Sequence, residues 1–231
     1  MLDFIEYVVA ELKVRRLSKE NASNLIKQFY GRPASADRPS IIHPLLHRNT
    51  SDIYQQCYRS SFDGDEFYLN DHRVVADGGE ALRVLPGVAY LEMARAAVAD
   101  ALPEVSDAGH LQFNDIVWIK PIVVMEPKDV YIALSVDGSN REDAPTIEFE
   151  IFSEEPAGEE VVHCRGSATF VRGEAPARLD IAALQNRTTG GELDAGVIYP
   201  AYRKMGMRFG PAHQAVSRVY RGQTEVVASL A

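Results

Sequence analysis

The sequence is short of several things that would narrow its role at once. It has one Trp and two Cys in 231 residues. The cysteines, Cys57 and Cys164, lie far apart and form no CxxC pair. A disulfide framework is thereby set aside, and free thiols of a cytosolic protein are the reading left. No apolar run approaches the roughly 18 residues of a membrane span. Met1 to Glu11 carry Asp3 and Glu6 and lack a basic leader, unlike a secretory signal. Positive charge is scarce: 24 Lys and Arg stand against 33 Asp and Glu, a net charge of -9. Nucleic-acid binding needs a clustered basic surface, and the densest basic stretch, Lys13 to Arg16, is short. There is no glycine-rich phosphate loop, dinucleotide fingerprint or nucleophile elbow. His43 and His47 have the spacing of metal ligands on a helix, but Pro44 lies between them. What remains is an acidic, cytoplasmic globular chain. With 46% apolar residues it can bury a core without a staple.

The chain divides at two irregular stretches. Residues 2–30 read as two helices, with Phe4, Ile5, Val8, Val9 and Leu12 at helical spacing and Ser18 as a cap for the second. Residues 31–40, with two prolines and no periodicity, are a linker. Segments 53–62 and 66–69 read as strands about the Asp63-Gly64-Asp65 turn. Pro86 and Gly87 open an alanine-rich helix, Val88 to Leu102, that carries little charge and so belongs against a sheet. Strands are predicted at 113–125, 129–137, 146–153 and 160–171. Their short connections imply antiparallel pairing. The fold class is therefore α+β, a sheet wrapped around a central helix. Residues 173–193 read as a second linker. A helix over 197–205 and strands at 215–220 and 224–230 follow it.

His72 is the best candidate for chemistry. It stands in Phe67-Tyr68-Leu69-Asn70-Asp71-His72-Arg73-Val74, ahead of the helix that starts at Pro86-Gly87. A histidine near a helix N-terminus suits general-base work, because the imidazole takes a proton while backbone N–H groups hold a developing oxyanion. A single histidine in a polar turn is also, more often, merely solvated. On residue type both readings stay open.

The motifs around it resemble those of polyketide synthase dehydratase domains. His72-Arg73-Val74 followed by Val84-Leu85-Pro86-Gly87-Val88-Ala89-Tyr90-Leu91-Glu92-Met93-Ala94 is similar to the block about that family's active-site histidine. His43-Pro44-Leu45-Leu46 resembles its opening motif, and His163-Cys164-Arg165-Gly166 the strand that closes its first half. Gly206-Met207-Arg208-Phe209-Gly210-Pro211-Ala212-His213-Gln214 resembles the glycine–proline loop of its second half, where Tyr usually stands in place of Phe209. The run His43 to Asp52, with His213-Gln214, looks most like synthases whose acyltransferase acts in trans. The likeness covers about residues 41 to 231.

That resemblance implies a double hotdog: two units, each an antiparallel sheet around a long helix. Residues 41–172 would form the first and 194–231 the start of the second, with 173–193 between them and 1–30 as a docking appendage. It implies removal of water from a 3-hydroxyacyl thioester. His72 would be the general base, with Pro86, Gly87, Phe209, Gly210 and Pro211 lining the substrate site. No dissociable cofactor or metal is implied, since the substrate rides on the phosphopantetheine of an acyl carrier protein. Neighbouring ketosynthase and ketoreductase domains and a homodimer are the implied partners, with neither nucleic acid nor membrane.

Two departures qualify the expectation. The family's histidine motif places its proline nine residues on, whereas Pro86 lies fourteen after His72, so a loop containing Asp77-Gly78-Gly79-Glu80 is about five residues longer and is expected to bulge into solvent. The family's acid, an aspartate on the second helix, has no counterpart before Ala231, so the chain is expected to be a fragment holding half of the site and leaving an apolar sheet face uncovered. Asp71 adjoins His72 but is expected to point elsewhere. The alternatives are a catalytically silent docking scaffold, or a double-bond isomerase or pyran-forming cyclase on the same fold.

Overall fold

Alternation of inward and outward side chains builds the main sheet. In β2 (Gln56–Phe62) Tyr58, Ser60 and Phe62 turn inward, and in β7 (Thr146–Glu154) Ile147, Phe149, Ile151 and Ser153 do the same. This is the period of two of a half-buried strand. They join β1 (Arg48–Asn49), β5 (His110–Trp118), β6 (Lys128–Asp137) and β8 (Glu160–Val171) in one antiparallel sheet of order β1-β2-β6-β7-β8-β5. The computed structural model describes residues 41–76, 78–103, 110–137, 145–155, 158–171 and 178–230. The helices expected over residues 2–30 and the linker at 31–40 lie outside these.

Two helices precede β5: a single turn, α1 (Phe67–Asn70), and the long α2 (Gly87–Ala101). Pro86 sits in the N-cap position with φ -57°, where a missing N–H costs nothing. Seven residues of α2 are buried, and four of them are alanines: Ala89, Ala94, Ala96 and Ala97. Small side chains let the helix backbone lie close to β6 and β7, while Tyr90, Met93 and Val98 fill the space to the sheet. The core they share includes Leu46, Tyr58, Leu69, Ile122, Ile132 and Ile151, each without measurable exposure.

Two smaller sheets complete the described chain. One has the order β10-β3-β4, from β3 (His72–Val75), β4 (Ala81–Arg83) and β10 (Met207–Phe209). The other has the order β12-β11-β9, from β9 (Glu192–Asp194), β11 (Val216–Arg221) and β12 (Val226–Leu230). Helices α3 (Ile181–Arg187) and α4 (Ala195–Lys204) and a 3-10 turn (Pro211–His213) lie among them. One face of β12, Val226, Ala228 and Leu230, is exposed.

Several expectations change. The segment expected as strand at 66–69 is the helical turn α1, because Glu66 at its N-cap turns its carboxylate onto the amides of Asp63 and Gly64 and tightens the chain there. The strand expected over 113–125 ends at Trp118. Residues 119–124 leave it as a strap whose amides and carbonyls bond to His163, Arg83, Leu85 and Tyr90 rather than to a ladder. The stretch expected as a linker at 173–193 contains α3 and most of β9. The Asp180 carboxylate accepts the Ala183 N–H as an N-cap, and Leu193 pairs with Val219. The long loop after His72 is a β3–β4 hairpin whose tip residues Gly78, Gly79 and Glu80 are exposed.

Candidate active site

His72 opens β3, half-buried, with β4 on one side and β10 on the other. Its Nδ1 lies 2.8 Å from the Val84 carbonyl oxygen. A carbonyl can only accept, so Nδ1 carries the proton and Nε2 is left with the lone pair of a base. Val84 is itself held. Its N–H donates to the His72 carbonyl at 3.2 Å, and it bridges Val123 of the strap. Leu85 N–H donates to the Ile122 carbonyl at 2.9 Å, and Ile122 N–H donates to the Tyr90 hydroxyl at 2.8 Å. Burial pushes the Tyr90 phenol up to about 12, so it stays neutral and available as an acceptor.

The other end of the strap rests on a buried pair. His163 and Ser153 are 2% and 0% exposed. His163 Nδ1 donates to the Lys120 carbonyl at 3.0 Å, and its Nε2 accepts from the Ser153 hydroxyl at 2.8 Å. Burial lowers the basicity of His163 and keeps it neutral. No approach to solvent accompanies this Ser–His pair, so it is a structural bolt, not a nucleophile.

The start of α2 stands beyond Val84. The first amides of a helix have no partner within it, and Gly87 and Val88 supply them here, at the positive end of the helix dipole. Gly87 is exposed, and Trp118 lies against it, its indole N–H donating to the Gly87 carbonyl at 3.2 Å.

Residues distant in sequence form the opposite wall. Phe209 of β10 is the register partner of His72, with ring centroids 5.5 Å apart, and the His213 ring stands 5.7 Å from that of His72. Phe209 is fixed edge-on by Tyr199 and Tyr202 of α4. Where the family motif usually has Tyr, it brings no hydroxyl to this wall. Gly210 and Pro211 follow as the entry to the 3-10 turn. His213 loses basicity through burial first and then through the neighbouring His72, against a smaller opposing effect of Asp71. The Asp71 carboxylate is directed not at His72 but at the Ala212 N–H, 2.8 Å away.

The structure sets Phe209 of β10 against His72, with Gly210 and Pro211 following it into the turn, while Pro86 and Gly87 follow Val84, whose carbonyl holds the His72 ring. Sequence reasoning assigned no role to His213, Val84 or Tyr90. His213 lay within a quoted motif, but nothing in its spacing places it opposite His72. Among the described residues no group of three or more His, Cys, Asp and Glu could hold a metal. His43 is engaged by Glu92 at 3.2 Å, and His47 by the Pro44 carbonyl and the Ser61 N–H. A concavity of about 500 Å³ lined by Gln55, Asp115, Glu148, Glu150 and Arg165 contains none of the site residues.

A family model described as "Polyketide synthase dehydratase domain" matches residues 43–154. Polyketide synthase PksM of Bacillus subtilis is 36% identical over 194 residues, which is 82% of this chain and 4% of the synthase. A crystal structure of a trans-AT PKS dehydratase domain from Brevibacillus brevis is 38% identical. It superposes with a TM-score of 0.74 over 83% of this chain and 65% of that one. The chain belongs to the polyketide synthase dehydratase family. The dehydratase domain of RzxB from Pseudomonas fluorescens is 30% identical, with a TM-score of 0.69 over 83% of this chain and 65% of that domain. The sheet around α2 is accordingly a hotdog of the dehydratase type, as the motifs implied. The chain spans about two thirds of the solved dehydratase chains and a small part of the synthase. Among the described residues no helix is long and apolar enough to cross a membrane.

Proposed function

We propose that this chain supplies the base half of a dehydratase site that removes water from a 3-hydroxyacyl thioester carried on an acyl carrier protein. The observation that carries the proposal is the Val84 carbonyl at 2.8 Å from His72 Nδ1, which fixes the tautomer and turns the Nε2 lone pair away from the strap. In the reaction Nε2 takes the proton from the carbon next to the thioester carbonyl. The electron pair moves toward that carbonyl, and the Gly87 and Val88 amides stabilise the charge that grows on its oxygen. The C–O bond to the β-hydroxyl then breaks, and the hydroxyl leaves as water once it receives a proton. Asp71 does not supply that proton, because its carboxylate is bound to Ala212 N–H. The resemblance assigns that proton to an aspartic acid on the family's second helix.

The elimination is acid–base chemistry throughout, which supports the reading that the domain uses no cofactor of its own. Its thioester arrives on phosphopantetheine belonging to the carrier protein. Ketosynthase and ketoreductase neighbours, a homodimer and a cytoplasmic setting fit the multidomain synthases that the chain resembles. The domain plan that fits is a first hotdog over 41–172 and the opening of a second over 194–231, joined by 173–193, whose strand β9 pairs with β11 of the second.

Intact-protein mass spectrometry tests the reaction. A carrier protein loaded with a 3-hydroxyacyl chain is incubated with this chain, and separately with a fusion that continues into the corresponding region of PksM. Loss of one water in the fusion, abolished by His72→Ala, is the expected result. Unchanged loss after His72→Ala, or no loss in either form, would sink the assignment.

A further inference from the structure

Asp71 adjoins the catalytic histidine and has no part in the proton transfers above, yet its contacts are specific. Its main-chain carbonyl accepts the Gly210 N–H at 2.8 Å, and its carboxylate Oδ2 accepts the Ala212 N–H at 2.8 Å. Between these two amides stands Pro211, which has no N–H to satisfy. The carboxylate also lies directly over the bare Cα of Gly210. A Cβ added there would meet Asp71 Oδ1 at 2.2 Å and Cγ at 2.3 Å. Asp71 therefore caps the 3-10 turn Pro211–His213 from another part of the chain, and Gly210 is required because that carboxylate fills the space of a side chain.

The consequence falls on His72. The turn carries His213, and Gly210 follows Phe209, the register partner of His72. The next residue after the clamping carboxylate is the histidine itself. One two-residue unit thus both bears the base and grips the wall that faces it.

We propose that Asp71 is a positioning residue of the dehydration site: its carboxylate locks the Gly210–His213 turn so that Phe209 and His213 form the wall facing His72. The proposal rests on the reading of His72 as the base, but the clamp itself is testable without turnover.

The test uses the full 231-residue chain with labelled imidazoles, and follows the proton–proton NOE between the His72 and His213 rings. Asp71→Ala is expected to abolish that NOE and to speed acylation of both histidines by diethyl pyrocarbonate. Asp71→Asn keeps an oxygen for the Ala212 amide and is expected to restore both. Gly210→Ala is expected to lose the NOE while still unfolding cooperatively, because the new methyl displaces the carboxylate. In the double variant Asp71→Ala/Gly210→Ala the methyl has nothing left to displace, so it should behave no worse than Asp71→Ala alone. Persistence of the NOE in Asp71→Ala, or strictly additive effects of the two substitutions, overturns the proposal. If Asp71→Ala does not fold, Gly210→Ala decides: an intact NOE in that variant overturns the clamp equally. In the PksM fusion, Asp71→Ala is expected to lower kcat with Asp71→Asn restoring it. Failure of His72→Ala to stop water loss would remove the functional reading and leave the clamp standing.

Discussion

Removing the Tyr90 hydroxyl tests how the His72 imidazole is held. Tyr90→Phe keeps the ring, which is 2% exposed in the core, and deletes one oxygen. That oxygen is the acceptor for the Ile122 N–H at 2.8 Å. The amide is left inside the protein without a partner, a loss of about 2 kcal/mol on the usual scale of 1–3 for an orphaned buried donor. For a unit of this size about 1 kcal/mol moves the melting temperature by about 2–4 °C, so a fall of about 4–8 °C is expected. The local effect should be larger than the global one. Ile122 holds Leu85 through its carbonyl, and the adjacent Val84 carbonyl fixes the His72 tautomer. Nitrogen-15 shifts of the imidazole should therefore show His72 as the Nδ1–H form in the parent chain and a tautomer mixture in Tyr90→Phe. Calorimetry and the same NMR spectra supply both readouts. A variant that melts within a degree of the parent and keeps the pure Nδ1–H form would refute the chain of contacts from α2 through the strap to His72.

The other predictions concern the core. Gly166→Ala places a methyl 2.4 Å from Ile116 Cδ1 and 3.2 Å from the Asn114 carbonyl, so it should destabilise by about 1–3 kcal/mol in denaturant titration, with Ile116→Val recovering part of the loss. Burial holds the native proton affinity of His163 below its unfolded value of about 6.5. The unfolded chain then binds the extra proton first, so this contribution to stability is complete above that pH and lost as pH falls through it. The stability difference between pH 7.5 and pH 5.5 should accordingly shrink in His163→Gln, and an unchanged difference would count against a neutral buried His163. Burial pushes the Cys164 thiol up to about 11. Iodoacetamide at pH 8 should therefore modify Cys164 only after unfolding, as peptide mass spectrometry would show.

Much of the architecture was legible because it follows from local periodicity. Strands at 129–137, 146–153 and 160–171 were predicted within a residue of β6, β7 and β8, whose alternating side chains state which face is buried. The alanine-rich helix after Pro86 was equally plain, since a stretch so poor in charge has to be covered. The error at 66–69 arose where a side-chain carboxylate overrode the pattern. The error at 119–124 arose where backbone groups found partners outside a ladder. Neither competing bond leaves a periodic trace.

The candidate site divides in the same way. Residue type and order alone determined that His72 could be a base and that a helix would begin near Pro86-Gly87, while the glycine–proline loop at Gly210-Pro211 was read from its resemblance to the family motif. Only tertiary structure decided that Val84 fixes the imidazole tautomer, that Phe209 pairs in register with His72, and that Asp71 grips an amide 141 positions away. Composition and spacing report which groups a segment offers. Which groups meet depends on closing loops of more than a hundred residues, and the packing of Tyr90, the strap and α2 settles that geometry.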